Sequence, residues 1–226
     1  MNEGKPHPGA TWGEGYIAQL GRGAYKHRFG GRDWSAEGPL EKLGAPALLV
    51  CIDLEDPVLD PLPSFDGNEL PLFSYIGHDG LLQRQKYCFR LLERQARCEY
   101  VEGNADPLPP DVRLPTPLQP RSLVLRPMTA IEIPFDEESQ GKAWHTSLGG
   151  DSFLRIGGPP LWIQDPQDGI CDCGSECRYI ASIGYEAYSR PSGYISQSDP
   201  FFIGELAMYF FWCADCKAMW VESDPT

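Results

Sequence analysis

The chain has little positive charge and no long apolar run. Its 19 lysine and arginine residues stand against 32 acidic residues, a formal net charge of −13, and such a chain repels phosphate backbones and anionic lipid. The longest apolar stretches, such as "PALLVCI" and "LAMYFFW", are far shorter than the ~20 residues of a membrane-spanning helix, and the N-terminal segment has no apolar signal-peptide core. We therefore expect a cytoplasmic protein that binds neither nucleic acid nor membranes. A basic protein is the electrostatically favoured partner, although acidity also serves solubility alone in many proteins.

The short motifs of common enzymes are also missing. The sequence contains no G-x-S-x-G, no H-E-x-x-H and no Walker A lysine, and its four histidines are scattered. Acidic stretches such as "DLEDPVLD" could supply an acid and a base, but a solvated acidic loop is the better interpretation when no second fixed group is evident. We expect a non-enzymatic protein. The alternative is a small-molecule hydrolase with a cleft between two halves of the chain and His145 or a carboxylate pair as acid or base.

Glycine and proline are abundant, with 24 and 22 residues, and divide the chain into short segments, which favours a β-rich architecture. Apolar runs rich in aromatic and β-branched residues predict strands at "ALLVCIDL", "LPLFSYIG", "SLVLRPMTAIEIPF", "RYIASIGY" and "ELAMYFFW". Residues 80–102 mix helical and alternating spacing, and we predict mostly helix followed by a strand. The glycine-rich stretch 12–31 is predicted to be a loop, and its aromatic residues either bind a partner or, as we favour, cap the core.

Two halves of the chain share a series of short similarities. Arg28 in "RFGGRDW" matches Arg155 in "RIGGPPLW", "VCIDL" matches "ASIGY", and "NELPLFSYIG" matches "GELAMYFFWC". We interpret this as a diverged tandem duplication, with chance similarity among glycine-rich and aromatic strands as the alternative. It predicts a first β-rich unit over 1–135, with a proline-rich connection at about 103–120, and a second β-rich unit over 136–226 that carries most of the cysteines. The two would pack as one pseudo-symmetric body of antiparallel strands.

The order of these motifs resembles the YwqG-like family, also called DUF1963. "RFGGRDW", "LLVCIDL", "LPLFSYI" and "SLVLRPMTAIEIP" stand in the first half, and "RIGGPPLWIQDP", "CDCGSEC" and "YFFWCADC" in the second. Cys51 departs from the family's usual glutamine in the "IDL" strand. The resemblance implies an α+β, β-dominated fold without an established activity. Because some members lie near genes for secreted or polymorphic toxins, it also implies an immunity protein that neutralises a cognate bacterial toxin, presumed basic, by direct binding.

Eight cysteines in a reducing compartment indicate metal ligands or buried thiols rather than disulfides. Zn²⁺ takes four tetrahedral thiolate or imidazole ligands, and two short cysteine pairs are a common way to supply them. "CADC" offers Cys213 and Cys216 directly after a strand, and the other pair must come from Cys171, Cys173 and Cys177.

The resemblance implies a cysteine knuckle that uses the residue before the glycine, Cys173, together with a cysteine three residues earlier, where this chain has Ile170 and Cys171 is displaced by one position. It places a core residue where Cys177 stands. The predicted ligands of one structural Zn²⁺ are therefore Cys171, Cys173, Cys213 and Cys216, with Cys177 in place of Cys171 as the variant. Buried free thiols are the alternative, and a redox-active "CADC" is disfavoured because the pair follows an aromatic strand. A zinc-stabilised scaffold with a partner other than a toxin is the remaining functional alternative.

Overall fold

The computed structural model describes residues 11–111, 113–114, 116–133, 153–164, 166–167, 169–186, 194–195, 201–204 and 206–225. These residues form twelve β-strands and two short 3₁₀ turns, at Glu41–Leu43 and Leu91–Glu93. The strands are β1 (Tyr16–Leu20), β2 (Arg28–Phe29), β3 (Ser35–Glu37), β4 (Ala47–Asp53), β5 (Glu69–Ser74), β6 (His78–Arg90), β7 (Gln95–Pro107), β8 (Arg121–Pro127), β9 (Leu154–Ile156), β10 (Arg178–Ile183), β11 (Leu206–Cys213) and β12 (Ala218–Pro225).

All twelve strands belong to one sheet, in the order β3-β7-β6-β12-β11-β10-β9-β1-β8-β2-β4-β5. Neighbouring strands are antiparallel except for β3 and β7, which are parallel. The sheet curls so that β3, at one end, contacts β4 near the other end, and it is nearly closed. The expectation of a β-dominated fold is confirmed, whereas no α-helix occurs among the described residues.

Strand β11 separates two apolar clusters. Met208, Phe210 and Trp212 belong to the main core inside the curled sheet, while Tyr209 and Phe211 belong to a second cluster on the opposite face. Successive side chains of a strand point to opposite faces, so a strand that is buried on both sides reads as the continuous apolar run "LAMYFFWC". The last residue of this run, Cys213, lies in the second cluster.

The predicted helix within residues 80–102 is wrong, because this segment forms the long β6–β7 hairpin. A register shift between Leu82 and Arg84 leaves Gln83 as an extra residue in β6. The buried positions therefore run Leu82, Gln85 and Tyr87, and the first step of three residues imitates a helical period. The same hairpin extends β7 to Pro107, so the first residues of the predicted proline-rich connection belong to a strand.

The glycine-rich stretch 12–31, which the sequence predicts to be a loop, contains the strands β1 and β2. β1 pairs with both β8 and β9. Trp12, Tyr16 and Phe29 are buried, which confirms that these aromatic residues cap the core and do not form an exposed binding surface. Five strand residues between glycine-rich flanks are too few to give a recognisable alternation.

Strands from the two predicted units interleave in the sheet. β12 pairs with β6 and β9 pairs with β1, so pairing crosses the predicted boundary at residue 135 twice. The boundary itself stays a prediction. In the part of the chain that the structure describes, no helix has the length and apolar character needed to cross a lipid bilayer.

One local geometry occurs twice in the sheet. Leu49 in β4 and Ile180 in β10 are each the extra residue of a β-bulge. Each accepts a hydrogen bond from a glycine that follows a short neighbouring strand, Gly30 at 2.9 Å and Gly157 at 2.7 Å. Both glycines have a left-handed backbone, with φ of 62° and 65°, which side chains other than glycine rarely adopt.

Candidate metal centre

The β11–β12 hairpin supplies two of the four predicted ligands. Cys213 ends β11 and pairs with Ala218, the first residue of β12, and the four residues between them form the turn. Lys217 adopts a left-handed backbone with φ of 50°, which closes this turn. The backbone N–H of Cys216 donates to the sulfur of Cys213 at 3.4 Å, so the turn itself directs both side chains to one side of the hairpin.

A small hairpin between β9 and β10 supplies the other two. Ile170 and Glu176 form a β-bridge, and within it the N–H of Cys171 donates to the carbonyl of Ser175 at 2.9 Å. The N–H of Gly174 donates to the carbonyl of Cys171 at 2.8 Å, which makes 171–174 a tight turn. The close spacing of Cys171 and Cys173 is compatible with a shared site because the chain reverses direction between them.

The structure brings the sulfurs of Cys171, Cys173, Cys213 and Cys216 together, all within 4.8 Å of one another. The sulfur of Cys171 lies 3.5 Å from that of Cys216, and the sulfur of Cys173 lies 3.7 Å from that of Cys213. Four sulfurs at Zn–S distances of about 2.3 Å define a tetrahedron with edges of about 3.8 Å. The two contacts are close to these edges, so the cluster is compatible with a bound metal ion. Cys177 is not one of the four.

Neighbouring side chains fix the cluster from outside. The indole N–H of Trp220 donates to the sulfur of Cys171 at 3.3 Å. The hydroxyl of Ser175 donates to the carboxylate of Asp215 at 2.5 Å, which joins the two cysteine segments directly. Partners of this kind orient metal ligands and tune their basicity.

Two cations of β6 hold the small hairpin against β12. The guanidinium of Arg84 lies 4.0 Å above the ring of Trp220 and donates to the carbonyl of Ile170. Lys86 forms an ion pair of 3.9 Å with Asp172. Burial alone would lower the pKa of Lys86, but the nearby Cys171, Cys88 and Asp172 raise it. A cation is therefore retained beside the cluster, where it offsets the negative charge that four thiolates would bring.

Three thiols of the cluster have shifted pKa values. Hydrogen bonding with Ser175 lowers the pKa of Cys173 to about 6, whereas burial raises the pKa of Cys213. The hydrogen bonds that Cys216 shares with Cys173 and Cys171 raise its pKa. Without a metal ion, a thiolate at Cys173 is thus stabilised by its protonated neighbours, and a divalent cation would take the place of those protons.

The remaining cysteines lie outside the cluster. Cys51 and Cys98 are buried in the main core and Cys177 in the second cluster, while Cys88 is half-buried. Burial raises the pKa of Cys51 to about 12 and those of Cys88 and Cys98 to about 11, and it also raises the pKa of Cys177. Such thiols are poor nucleophiles and poor metal ligands.

The acidic stretch at the end of β4 is solvated only in part, because only Glu55 and Asp60 among its acidic residues are exposed as the sequence predicts. Asp53 and Asp56 are buried. One oxygen of Asp53 accepts from the backbone N–H of Lys26 at 2.7 Å, and Asp56 accepts from the N–H of Val58 at 3.1 Å. Each carboxylate therefore satisfies backbone donors in the turn and is explained by its structural role.

Asp56 also accepts a hydrogen bond from His27, whose Nε2 lies 2.8 Å from it. The backbone N–H of Asp53 donates to Nδ1 of His27 at 3.1 Å, so the proton of the neutral ring resides on Nε2. This histidine has no free nitrogen with which to act as a base. His145, the base that the hydrolase alternative invoked, lies outside the described residues.

A polar groove of about 620 Å³ adjoins the cysteine cluster. Its lining includes Cys171, Arg84, Glu102, Glu222 and Asp224. Glu222 forms an ion pair with Arg84 at 3.3 Å, and Gln167 donates to Asp224 at 2.6 Å. The groove could not be predicted from the sequence, because its walls come from β6, β7, β12 and the segment before β10, which are far apart in the chain.

Comparisons of this chain with protein-family models, with curated proteins and with solved structures find no match.

Proposed function

We propose that this chain is a non-enzymatic protein-binding protein that one structural Zn²⁺ stabilises through Cys171, Cys173, Cys213 and Cys216. The observation that carries the zinc assignment is the clustering of four sulfurs within 4.8 Å. An all-thiolate set of four suits Zn²⁺, and closed four-ligand coordination leaves no position for substrate or water. The role of the ion is then to link the small hairpin before β10 to the β11–β12 hairpin.

The partner that we propose is a basic protein. The chain carries a formal net charge of −13, and Glu102, Glu222 and Asp224 line the groove beside the cluster. Complementary charge raises the association rate and suppresses binding to other acidic proteins. Neutralisation of a basic bacterial toxin is the specific form of this role that the resemblance to the YwqG-like family implies, and it is the form that we propose.

Acidic groups in the groove and at the end of β4 form ion pairs or hydrogen bonds within the protein, and this supports a non-enzymatic role over the hydrolase alternative. In the groove, Glu222 is paired with Arg84 and Asp224 accepts from Gln167. A general acid or base needs a titratable group that is within reach of substrate and is not committed to a structural contact. Both groups have structural contacts, as do Asp53 and Asp56 in the turn after β4.

The tandem duplication is part of the same proposal. The two glycine-supported bulges, at Leu49 and Ile180, occupy equivalent places in the motif matches on which the duplication was predicted. The order of strands around the sheet adds support: β8 pairs with β2 as β1 pairs with β9, and β1 and β8 pair with each other. The matched strands would thus be arranged about a pseudo-two-fold axis between β1 and β8, which both belong to the first predicted unit.

The zinc assignment is tested on protein purified without chelators or a metal-affinity tag. Elemental analysis is expected to give close to one zinc ion per chain. Replacement of zinc by Co²⁺ is expected to give the sulfur-to-cobalt charge-transfer absorption of tetrahedral thiolate coordination. Cys216→Ser should lose both signals, and Cys88→Ser, which changes a half-buried thiol outside the cluster, should keep them. Absence of metal from the unaltered protein, together with no cobalt spectrum, would refute the assignment.

The partner assignment is tested with the product of the gene next to the one that encodes this chain. We expect co-purification of the two proteins, weakening as salt is raised from 50 to about 500 mM, and protection of cells that express the neighbour. Glu102→Lys should weaken binding, whereas Glu93→Lys, at the far tip of the β6–β7 hairpin, should not. A neighbour that neither binds nor is neutralised would contradict the toxin-neutralising role, while the zinc assignment would stand or fall on its own test.

A further inference from the structure

The cysteine cluster also pairs sulfurs across its two segments. Its two short sulfur contacts are both between segments: Cys171 faces Cys216 at 3.5 Å, and Cys173 faces Cys213 at 3.7 Å. Each cysteine of one segment therefore faces a cysteine of the other segment. A disulfide has an S–S length of about 2.05 Å, so each facing pair needs to close by only about 1.5 Å.

The four cysteines of the cluster differ in their exposure to solvent. Cys173 is exposed, Cys216 is intermediate, and Cys171 and Cys213 are buried. Each facing pair thus joins a more accessible sulfur to a buried one. An oxidant from solvent can reach the first member, and the second is the nearest sulfur to resolve the product.

We propose that this cluster is a hydroperoxide-reactive site at which oxidation forms the crossed disulfides Cys171–Cys216 and Cys173–Cys213 and releases the metal. The proposal rests on the proposed zinc function, because it concerns the same four sulfurs in their metal-bound state. Its consequence is that the two hairpins stay linked: by the metal when the thiols are reduced, and by covalent bonds when they are oxidised.

The chemistry balances with a hydroperoxide as the only oxidant. The Cys173 thiolate attacks one peroxide oxygen, the O–O bond breaks, and hydroxide leaves, so that sulfur becomes a sulfenic acid. The Cys213 thiolate then attacks that sulfur, an S–S bond forms, and a second hydroxide leaves. A second peroxide oxidises the other pair in the same way. Altogether the four zinc-bound thiolates, two molecules of hydrogen peroxide and four protons give two disulfides, four molecules of water and free Zn²⁺.

The experiment oxidises the zinc-loaded full chain with hydrogen peroxide and follows three quantities. A zinc-sensitive dye should report one ion released per chain, for about two peroxides consumed. Thiol titration after denaturation should fall from eight groups to four, since four of the eight cysteines lie outside the cluster. Cys88→Ser should release zinc like the unaltered protein. Cys173→Ser should form only the Cys171–Cys216 bond.

Peptide mapping then decides the pairing. Asp172 separates Cys171 from Cys173, and Asp215 separates Cys213 from Cys216, so cleavage before aspartate places the four cysteines on different peptides. We expect the two crossed pairs, and we expect the oxidised, metal-free protein to melt well above the reduced, metal-free protein. Disulfides within one segment, or sulfonic acids instead of disulfides, would overturn the proposal. If the isolated protein holds no zinc, the proposed metal site fails, and mapping of the oxidised metal-free protein still tests the crossed pairing separately.

Discussion

Replacement of Cys216 by serine is the most direct perturbation of the proposed structural zinc site. Cys216 is half-buried, so the new hydroxyl can remain solvated and the lost ligand should dominate the effect. The cross-link that the ion provides joins residues 45 positions apart, Cys171 and Cys216. Closing a loop of that length in the unfolded chain is worth about 4 kcal/mol. For a chain of this size each kcal/mol moves Tm by about 2–4 °C, which predicts a loss of about 8–16 °C.

The assay is thermal unfolding followed by circular dichroism, with and without a strong chelator. The unaltered protein should lose about 8–16 °C of Tm on chelation, while Cys216→Ser should already melt at the lower temperature and should not respond to the chelator. Any affinity of zinc for the unfolded chain reduces the difference, so the figure is an upper value. Cys88→Ser is the matched control, because it changes a half-buried thiol outside the cluster. It should keep the full response.

If the unaltered protein is shown to contain zinc but its Tm does not respond to the chelator, the proposed stabilising cross-link is refuted. It would also be refuted if Cys216→Ser and Cys88→Ser lost the same number of degrees, because the loss would then reflect a thiol-to-hydroxyl change and not a lost cross-link.

Two further predictions concern the sheet. In Gly157→Ala the new Cβ would lie 2.3 Å from the carbonyl oxygen of Trp12, at a φ of +65°, and we expect a loss of more than about 2 kcal/mol in urea unfolding. Gly44→Ala, which has a φ of +77° but no atom within 4 Å, should lose only about 1 kcal/mol; equal losses would contradict the steric argument. Burial would raise the pKa of Glu69, but hydrogen bonds from Arg28 and Trp34 outweigh it and lower the pKa to about 2. Because this pKa is lower in the folded state than in the unfolded state, the ionised carboxylate stabilises the fold at pH values above 4.5. This stabilisation is lost as the pH falls from 4.5 towards 2. Glu69→Gln should therefore lower the free energy of unfolding by about 1–2 kcal/mol at pH 7, after allowance for solvent screening. It should also reduce the loss of stability that occurs on acidification. Glu93 forms an exposed ion pair with Arg90, and Glu93→Gln should change neither the stability at pH 7 nor its loss in acid. If Glu69→Gln lost stability in acid as steeply as the unaltered protein, the ion pair of Glu69 would not contribute.

Four of the strands that the sequence predicts are buried on both sides, whereas β8, which it also predicts, is only partly buried and ends at Pro127, before the predicted continuation "MTA". β4, β5, β10 and β11 are almost continuously apolar, and their burial patterns show why. β6 and β7 are different, because they carry charged and polar residues on an exposed face and contain bulges at Gln83 and Glu99. A single extra residue moves every later side chain to the other face. The alternation that identifies a strand is thereby interrupted, and helix is predicted where a hairpin forms.

The choice between Cys171 and Cys177 could not be made from spacing alone. Both are near Cys173, and both could reach a second pair in an extended chain. Local backbone geometry separates them: Cys171 begins the tight turn that Gly174 closes, whereas Cys177 lies just before β10 and packs into the second apolar cluster. Turn formation depends on hydrogen bonds that residue spacing does not specify.

The position of the cysteines follows from how the second apolar cluster is covered. This cluster lies on the face of β10–β12 that is turned away from the main core, and Trp162 from the preceding loop packs against Tyr209 and Phe211 there. Covering an apolar face with a loop leaves few strand hydrogen bonds to hold the cover in place. Among the described contacts, that loop is fastened by the hydrogen bonds of Tyr209 with the carbonyl of Leu161 and the N–H of Ile163. Gln164 and Gln167 donate further hydrogen bonds to β12, and the cysteine cluster lies at the far end of the loop. The proposed metal link at that far end would help to keep Trp162 against the sheet, which would give the cluster a structural reason to lie at the edge of the second apolar cluster and not in the main core.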